Sequence, residues 1–335
     1  LQIATIEPTL GLRQEPPSKR NCPQPVFNDC HTSMKIGIDL GGTKTEAVVL
    51  GPAGCEISRK RLPTPQNDYS GTIDVVLTLV EEMESHVHSP CTVGVATPGA
   101  LSTATGLMKN ANSTWLNGHA LELDLEAALQ RPVRIANDAN CFALSEAIDG
   151  AGADAKTVFG VILGTGVGGG LVIGKSLLVG RNAIAGEWGH NPFPCPENNE
   201  LSRPECFCGK HGCVETFLSG PALVSTYQDA GGILTTAEAI ANAVPDDKRA
   251  KFVLARYMNH LARALAQVIN ILDPEVIVLG GGLSNIESLY ERVPKLWDRY
   301  IFSDQVDTTL RRNLHGDSSG VRGAAWLWDD EDACA

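Results

Sequence analysis

The residues most suited to chemistry lie between Glu187 and Glu215. Within this stretch, one histidine and three cysteines have spacings that suit a metal site: His190, Cys206, Cys208 and Cys213. Zinc binds imidazole nitrogen and thiolate sulfur readily, and four such ligands close a tetrahedral structural site. The spacing therefore predicts a zinc-binding loop that would hold the two flanking glutamates in place. The alternative is that these cysteines are reduced and behave as small hydrophobic side chains.

Two glycine-rich turns, far apart in the chain, each join two predicted strands. The first is Gly41-Gly42-Thr43-Lys44, and the second begins Gly164-Thr165-Gly166. Glycine lets backbone N–H groups approach an anion closely, and successive N–H groups form an anion-binding concavity. Neither turn is a P-loop, because a strand rather than a helix follows it. Each could be only a tight hairpin, but as a pair they predict two phosphate-binding segments that face each other.

Two aspartates stand at the ends of predicted strands. Asp39 precedes the first turn, where it could hold Mg²⁺ beside a phosphate or could merely cap the turn. Asp138 follows a buried strand and opens a helix, so it could be an N-cap. It could also be a general base at the carboxyl edge of a sheet, where α/β proteins bind their ligands. Asn137 beside it would hydrogen-bond a hydroxylated ligand.

A polar loop over residues 99–118 is dense in Asn, Ser and Thr, with Asn112 and Trp115 among its members. Amide and hydroxyl side chains are suited to binding the hydroxyl groups of a ligand, and the face of a tryptophan suits a sugar ring. The alternative is an ordinary polar surface loop.

The elements that must position these residues alternate between strands and helices. Strands are predicted at 35–40, 44–50, 93–97, 133–137, 159–163, 167–173 and 276–279. Helices are predicted at 68–86, 139–148, 246–272, 286–300 and 320–328, with Pro274 ending the longest. The two similar hairpin openings predict two related α/β lobes with a ligand-binding cleft between them.

Composition narrows the classes of function. The net charge of −12 argues against nucleic-acid binding, which needs concentrated Lys and Arg. No apolar run is long enough to cross a bilayer, and no secretory signal is evident. The ten cysteines are therefore expected to be reduced, in a cytoplasmic protein. Residues 1–33 are rich in Pro and lack periodicity, which predicts a disordered extension or a segment left by cloning, with Met34 as the natural start.

Taken in chain order, these motifs resemble the ROK family of sugar kinases, within the actin and hexokinase-like superfamily. The hallmark segments are 39–45, 137–140, 164–170, 187–190 and 206–213. The resemblance covers about residues 34 to 328, and the segments 109–118 and 315–328 make it closest to the bacterial manno(fructo)kinases.

The resemblance implies a two-lobed actin/hexokinase-like (ribonuclease H-like) α/β fold with an interdomain cleft. The small lobe would comprise residues 34–149 and 316–330, and the large lobe residues 150–315. Residues 1–33 are too short and too rich in Pro for the helix-turn-helix domain that some family members carry, so a repressor role is not expected.

The resemblance also implies ATP-dependent phosphorylation of the C6 hydroxyl of fructose, and of mannose, with glucose as a further candidate. Asp138 matches the catalytic base, and Asp39 would hold Mg²⁺. The sugar would be bound by Asn112, Asn137, Glu187, His190 and Glu215. ATP would be bound by Gly41, Gly42, Thr43 and Lys44, by Gly164, Thr165 and Gly166, and, near the adenosine, by Gly280, Gly281 and Gly282. The Zn²⁺ would be structural, and a homodimer is common in the family.

Two alternatives remain open. The same scaffold could carry a glucokinase or an N-acetylmannosamine kinase. A non-catalytic sugar-sensing protein is also conceivable, although the intact set of Asp39, Asp138 and the glycine turns argues against it.

Overall fold

The computed structural model describes residues 34–200 and 204–329. Its strands are β1 (Lys35–Leu40), β2 (Lys44–Leu50), β3 (Glu56–Pro63), β4 (Thr92–Thr97), β5 (Ala100–Leu101), β6 (Met108–Lys109), β7 (Val133–Asn137), β8 (Thr157–Leu163), β9 (Val167–Ile173), β10 (Ser176–Leu177), β11 (Val276–Gly280) and β12 (Thr309–Arg312). Its α-helices are α1 (Tyr69–Val87), α2 (Leu121–Leu129), α3 (Asp138–Ile148), α4 (Glu215–Leu218), α5 (Gly220–Asp229), α6 (Ala237–Ala243), α7 (Lys248–Leu272), α8 (Ser288–Trp297) and α9 (Ser319–Ala325).

The strands form two five-stranded mixed sheets of the same design. The first has the order β3-β2-β1-β4-β7 and the second the order β10-β9-β8-β11-β12. In each, the opening strand pairs antiparallel with the strand that follows it and parallel with a later one. The prediction of two related hairpin openings is confirmed, and each sheet lies against its own hydrophobic core.

The long helices begin and end where the sequence indicates. Asp68 caps α1 by accepting a hydrogen bond from the N–H of Gly71, and Asp247 caps α7 in the same way. At the other end of α7, Asp273 adopts a left-handed conformation directly before Pro274, which cannot continue a helix. The sequence does not predict the short helices α2 and α4–α6.

Two helices cross between the sheets. Helix α3 follows β7 of the first sheet but packs on β8 and β9 of the second, whereas α9 follows β12 of the second and packs on the first. The approach is close because small residues line it: a Cβ added at Gly160 would lie 2.6 Å from the Ala143 Cβ. A Cβ at Gly323 would lie 1.7 Å from the Cys141 carbonyl oxygen, so α3 and α9 touch backbone to backbone. This helix pair joins the two sheets.

Three sequence expectations concern the rest of the chain. The predicted extension, residues 1–33, lies outside the described residues. Cys55 is disulfide-bonded, so the expectation that all cysteines are reduced is wrong at this position. Among the described helices, none is both long and apolar enough to span a bilayer.

Candidate active site

The first glycine turn joins β1 to β2, and hydrogen bonds fix its backbone. The Gly41 N–H donates to the Lys44 carbonyl over 3.1 Å, and a Cβ at Gly41 would lie 2.7 Å from that same oxygen. The Thr64 hydroxyl donates to the Gly41 carbonyl at 2.8 Å. Because these contacts fix the backbone, the exposed side chains of Thr43 and Lys44 project from a rigid turn. The turn can therefore present its N–H groups to an anion without rearrangement.

Two carboxylates lie close together beside this turn, Asp39 near the end of β1 and Asp138 at the start of α3, and a third, Glu187, acts on Asp138. Burial raises the pKa of Asp39 to about 7, and the neighbouring Asp138 carboxylate adds to the shift. Desolvation raises the pKa of Asp138; the Ala139 N–H, at 2.8 Å, partly offsets this, and the Glu187 carboxylate reinforces it. Asp138 is solvent-exposed yet surrounded by enough protein to be desolvated, as expected for a side chain in a cleft.

The donor chemistry around Asp39 fits a hard cation. Within residues 34–200 and 204–329, no side chain donates a hydrogen bond to the Asp39 carboxylate, and Asp138 faces it with the same charge. Oxygen ligands from one or two carboxylates, completed by water and phosphate, are what Mg²⁺ prefers. A bound cation would also offset the cost of burying the Asp39 charge beside Asp138.

The N-cap of α3 is Asn137, not Asp138. The Asn137 Oδ1 accepts from the Asn140 N–H at 2.7 Å, while Asp138 occupies the first helical position. The capping alternative considered for Asp138 is therefore wrong, and the cap keeps the Asp138 carboxylate out of that role. Asn137 retains its Nδ2 group for a ligand.

The second glycine turn joins β8 to β9 and is anchored to later parts of the chain. The Gly164 N–H donates to the Gly166 carbonyl at 3.0 Å, and the Gly220 N–H donates to the Gly164 carbonyl at 2.8 Å. Thr165 at its tip is exposed. A cavity of about 380 Å³ opens beside Gly220, lined also by Pro221, Val224, Ser225 and Gln228.

The glycine run at the end of β11 lies against the second turn. Gly281 has φ +77°, and a Cβ there would lie 2.5 Å from the Leu163 carbonyl oxygen, so only glycine fits. Gly280 approaches the ring of Phe142 in a similar way. A polar cavity of about 270 Å³ adjoins Gly281 and reaches Arg312 and Asp317. The structure thus brings Gly280–Gly282 close to the end of β8, directly before Gly164.

The four predicted metal ligands lie together. The candidate ligand atoms of His190, Cys206, Cys208 and Cys213 all fall within 4.8 Å of one another. The Cys206 Sγ lies 3.5 Å from the His190 Nδ1, and the Cys208 Sγ lies 3.6 Å from the Cys213 Sγ. Zn–S bonds of about 2.3 Å imply ligand separations of about 3.8 Å in a tetrahedron. The donor set and its spacing fit zinc, with no position left open for a substrate.

The two glutamates that flank this loop have different surroundings. Glu215 Oε2 accepts from the Val167 N–H at 2.9 Å, and Glu215 Oε1 lies 3.5 Å from the Cys206 Sγ. Glu215 therefore ties the Cys/His loop to the second glycine turn, a role that the sequence did not indicate. Glu187 is exposed, and its charge acts on Asp138.

The polar loop after β6 contributes Asn112, which is exposed. The indole N–H of Trp115 donates to the Thr72 hydroxyl at 3.2 Å, and its half-buried ring packs on the core of the first sheet. The stacking of a sugar on Trp115 stays a prediction. Ser113, which sequence reasoning missed, is buried with its Oγ 3.0 Å from the position of a Cβ on Gly42. In the sequence, only the position of Ser113 next to Asn112 could have indicated that it belongs to the site.

Comparison with known proteins identifies this arrangement. The profile of the ROK family matches residues 35–331. The chain belongs to the ROK family. It is 38% identical over 299 residues to an N-acetyl-D-glucosamine kinase of Yersinia pseudotuberculosis, covering 88% of this chain and 98% of the relative.

Solved ROK structures share the fold. A ROK hexokinase from Thermus thermophilus superposes with a TM-score of 0.78 at 28% identity, over 88% of this chain and 97% of that one. A ROK glucokinase from Streptomyces griseus, solved with glucose and AMPPNP, gives a TM-score of 0.71 at 27% identity, over 88% and 99% of the two chains. The two-lobed actin/hexokinase-like α/β fold expected from the sequence is thus confirmed for this ROK protein, and its Cys/His cluster is one that could bind zinc.

Proposed function

We propose that this ROK protein is an ATP-dependent hexose kinase that transfers the γ-phosphate to the C6 hydroxyl of its sugar. The observation that carries the proposal is the position of Asp138. Its desolvated carboxylate stands between Asp39, beside the first glycine turn, and Glu187, beside the Cys/His loop. A carboxylate whose pKa is raised toward the working pH is suited to accept a proton from a hydroxyl.

Each group has a role in the proposed transfer. Asp138 takes the proton from the sugar hydroxyl as its oxygen attacks phosphorus. Asp39 would hold Mg²⁺, which neutralises phosphate charge when bound. The N–H groups of the two turns orient the phosphates, because phosphoryl transfer needs mainly positioning and charge neutralisation. The adenosine would lie near Gly280–Gly282, beside the cavities that adjoin Gly220 and Gly281.

The sugar would be bound opposite the second turn. Asn137 offers its Nδ2 group, Glu187 an exposed carboxylate, and Asn112 an exposed amide. His190 turns its Nδ1 toward the Cys206 sulfur, which leaves Nε2 for a sugar hydroxyl. Structural Zn²⁺ would fix this loop, and Glu215 would align it with the phosphates through Val167.

Fructose is the proposed substrate, with mannose and glucose as further candidates. The segments 109–118 and 315–328 support this choice because they are like those of manno(fructo)kinases. A specific observation favours a second candidate: the Yersinia relative is an N-acetyl-D-glucosamine kinase. N-acetylmannosamine belongs in the same comparison.

A coupled assay of ADP release across these five sugars tests the proposal. We expect release to depend on sugar, with the highest kcat/KM for fructose. If N-acetylglucosamine gives the highest kcat/KM, the enzyme is still a kinase but the fructose assignment is wrong. If no sugar stimulates ADP release while hexose binding is detected by calorimetry, the non-catalytic sugar-sensing alternative is correct.

We also propose that the chain forms two lobes that close over the sugar and exclude water. The small lobe comprises residues 34–149 and 316–330, and the large lobe comprises residues 150–315. We place the enzyme in the cytoplasm as a homodimer with no nucleic-acid or membrane partner. Light scattering of the purified chain would give a mass near twice that of the monomer, and a monomeric mass would contradict the dimer.

A further inference from the structure

The two sheets are joined by the α3–α9 pair and by two connections. We name residues 149–156, between α3 and β8, the first crossover, and residues 313–318, between β12 and α9, the second crossover. Both meet at the side chain of Glu146, near the C-terminal end of α3. Glu146 has no role in the proposed phosphoryl transfer, and at 1.5 Å per residue it lies about 12 Å along the helix from Asp138.

The Glu146 carboxylate contacts three separate parts of the chain. Its Oε2 accepts from the Ala151 N–H of the first crossover at 2.8 Å and from the Leu314 N–H of the second at 3.0 Å. Its Oε1 accepts from the Ser319 hydroxyl at 2.7 Å and from the His315 N–H at 3.4 Å. One carboxylate therefore connects α3, both crossovers and the start of α9.

This carboxylate is fully buried, at 0% exposure. Across the described parts of the chain it has no ion-pair partner, so its solvation comes from backbone N–H groups and one hydroxyl. Such charge-assisted hydrogen bonds are strong, and a buried charge without them would be very costly. The site is also shaped for the side chain, because a Cβ added at Gly150 would lie 2.3 Å from Oε2.

Neighbouring contacts hold the same place from both sheets. Asp149, which directly follows α3, accepts from the His315 Nε2 at 3.1 Å and pairs with the Arg322 guanidinium of α9. Arg322 also donates to the Gly54 carbonyl at 2.7 Å, on the first sheet's side of the molecule. Hydrogen bonds and an ion pair therefore connect the two sheets at the end of α3 that lies away from Asp138.

We propose that Glu146 is a positioning residue that serves as the pivot for closure of the two lobes. Closure requires the sheets to rotate relative to each other, and hinges lie at a few residues of loops or element ends. A junction fixed at Glu146 lets α3 and α9 rotate while their relative sliding is prevented. Asp138, at the other end of α3, then takes the same position in the cleft each time the lobes close. This inference rests on the proposed kinase function.

The test uses Ser319→Ala, which removes the pivot's side-chain donor from α9. Ser145→Ala is a matched control, because Ser145 is equally buried on the same helical turn as Glu146 and its hydroxyl has no hydrogen-bond partner among the described residues. For each protein we would measure kcat, the KM for ATP, and the change in radius of gyration by small-angle X-ray scattering when fructose and AMPPNP are added.

We expect Ser319→Ala to lower kcat about tenfold with an unchanged KM for ATP, since a lost hydrogen bond to a charged group loosens the closed geometry. Its compaction should be smaller than that of the wild type, whereas Ser145→Ala should match the wild type in both. Equal turnover and compaction in the two variants would overturn the pivot. So would a wild type that turns over without compacting.

Hydrogen exchange of the wild type provides a second test that does not depend on any variant folding. The Ala151 and Leu314 amides should stay protected both with and without fructose and AMPPNP, because a pivot is kept throughout the motion. Loss of their protection on compaction would overturn the inference. If the wild type compacts with a hexose and AMPPNP but phosphorylates none of the five sugars, the proposed function fails while the pivot stands.

Discussion

The two glycine-rich turns have nearly the same secondary structure but very different surroundings. Asp39 lies two residues before the first turn, and the pKa of that carboxylate is raised to about 7 because it is buried beside Asp138. The second has no carboxylate of its own, and Glu215 reaches across to bond its Val167 N–H. The first turn thus lies beside carboxylates whose pKa values are raised, as at functional sites, while a later part of the chain stabilises the second turn. The comparison suggests that the chemistry lies at the first turn and that the Cys/His loop supports the second.

The largest expected effect is at the first turn's side of the cleft. Asp138→Asn should lower kcat by about 10²–10⁴-fold, because it removes the base with little change in volume. Hexose binding, measured by calorimetry, should be retained. Asp74→Asn, the same change at an exposed site on α1, should turn over normally. Near-wild-type turnover of Asp138→Asn would remove this residue from the role of base.

Asp39→Asn sharpens the comparison at the same turn. We expect kcat with Mg²⁺ and ATP to fall by at least about tenfold, since the amide is a poor ligand for a hard cation that neutralises phosphate charge. Excess Mg²⁺ should restore only part of the rate. The Mg²⁺ dependence of ADP release is the measurement, and unchanged dependence would place the cation elsewhere.

The Cys/His loop should respond in stability and sugar affinity together. Cys208→Ser should reduce bound zinc below one per chain, lower the Tm by several degrees and weaken hexose binding, because the metal fixes the segment that carries His190 and Glu215. Cys195→Ser is the control, since Cys195 is free and exposed in the same segment. Metal analysis, thermal unfolding and calorimetry give the three readouts. If Cys208→Ser abolished kcat at saturating hexose while Tm was unchanged, the loop would be part of the chemistry.

A smaller effect is expected where the loop meets the second turn. Glu215→Gln keeps an acceptor for the Val167 N–H but loses the charge, so the KM for ATP should rise by roughly three- to tenfold. Glu205→Gln, at an exposed position of the same loop, serves as the control. If both variants had the same kcat and KM for ATP, Glu215 would not stabilise the second turn for ATP binding.

The smallest effect concerns the stability of the fold. The pKa of Asp39 is about 7 in the folded protein and close to the ordinary 3.8 when unfolded, so the native state binds the proton more tightly. The free energy of unfolding therefore declines as pH rises from about 4 to 7. Asp39→Asn should therefore raise the free energy of unfolding by at least about 1 kcal/mol above pH 7 and by little below pH 4. Urea titrations at the two pH values measure this, and a difference of opposite sign would contradict the burial of a charged Asp39.

Sequence reasoning located both turns, the two aspartates and the four candidate metal ligands because each is a local pattern. It predicted the long helices for the same reason, since α1 and α7 repeat an apolar face and carry their own caps. It missed the hydrogen bond that the Val167 N–H donates to Glu215. It also gave no sign of Glu146, whose partners lie 168 and 173 residues away along the chain. Contacts of that kind depend on how the two sheets are placed, which no local pattern contains.

The most direct test of the proposed transfer of phosphate from ATP to the sugar C6 hydroxyl is to identify the product. Wild-type protein would be incubated with ATP, Mg²⁺ and fructose, or the sugar that performs best in the panel, and the products followed by ³¹P NMR. We expect one ADP to be formed per sugar ester, with the phosphate on the C6 oxygen. ADP released without a sugar ester, or an ester at another hydroxyl, would contradict it.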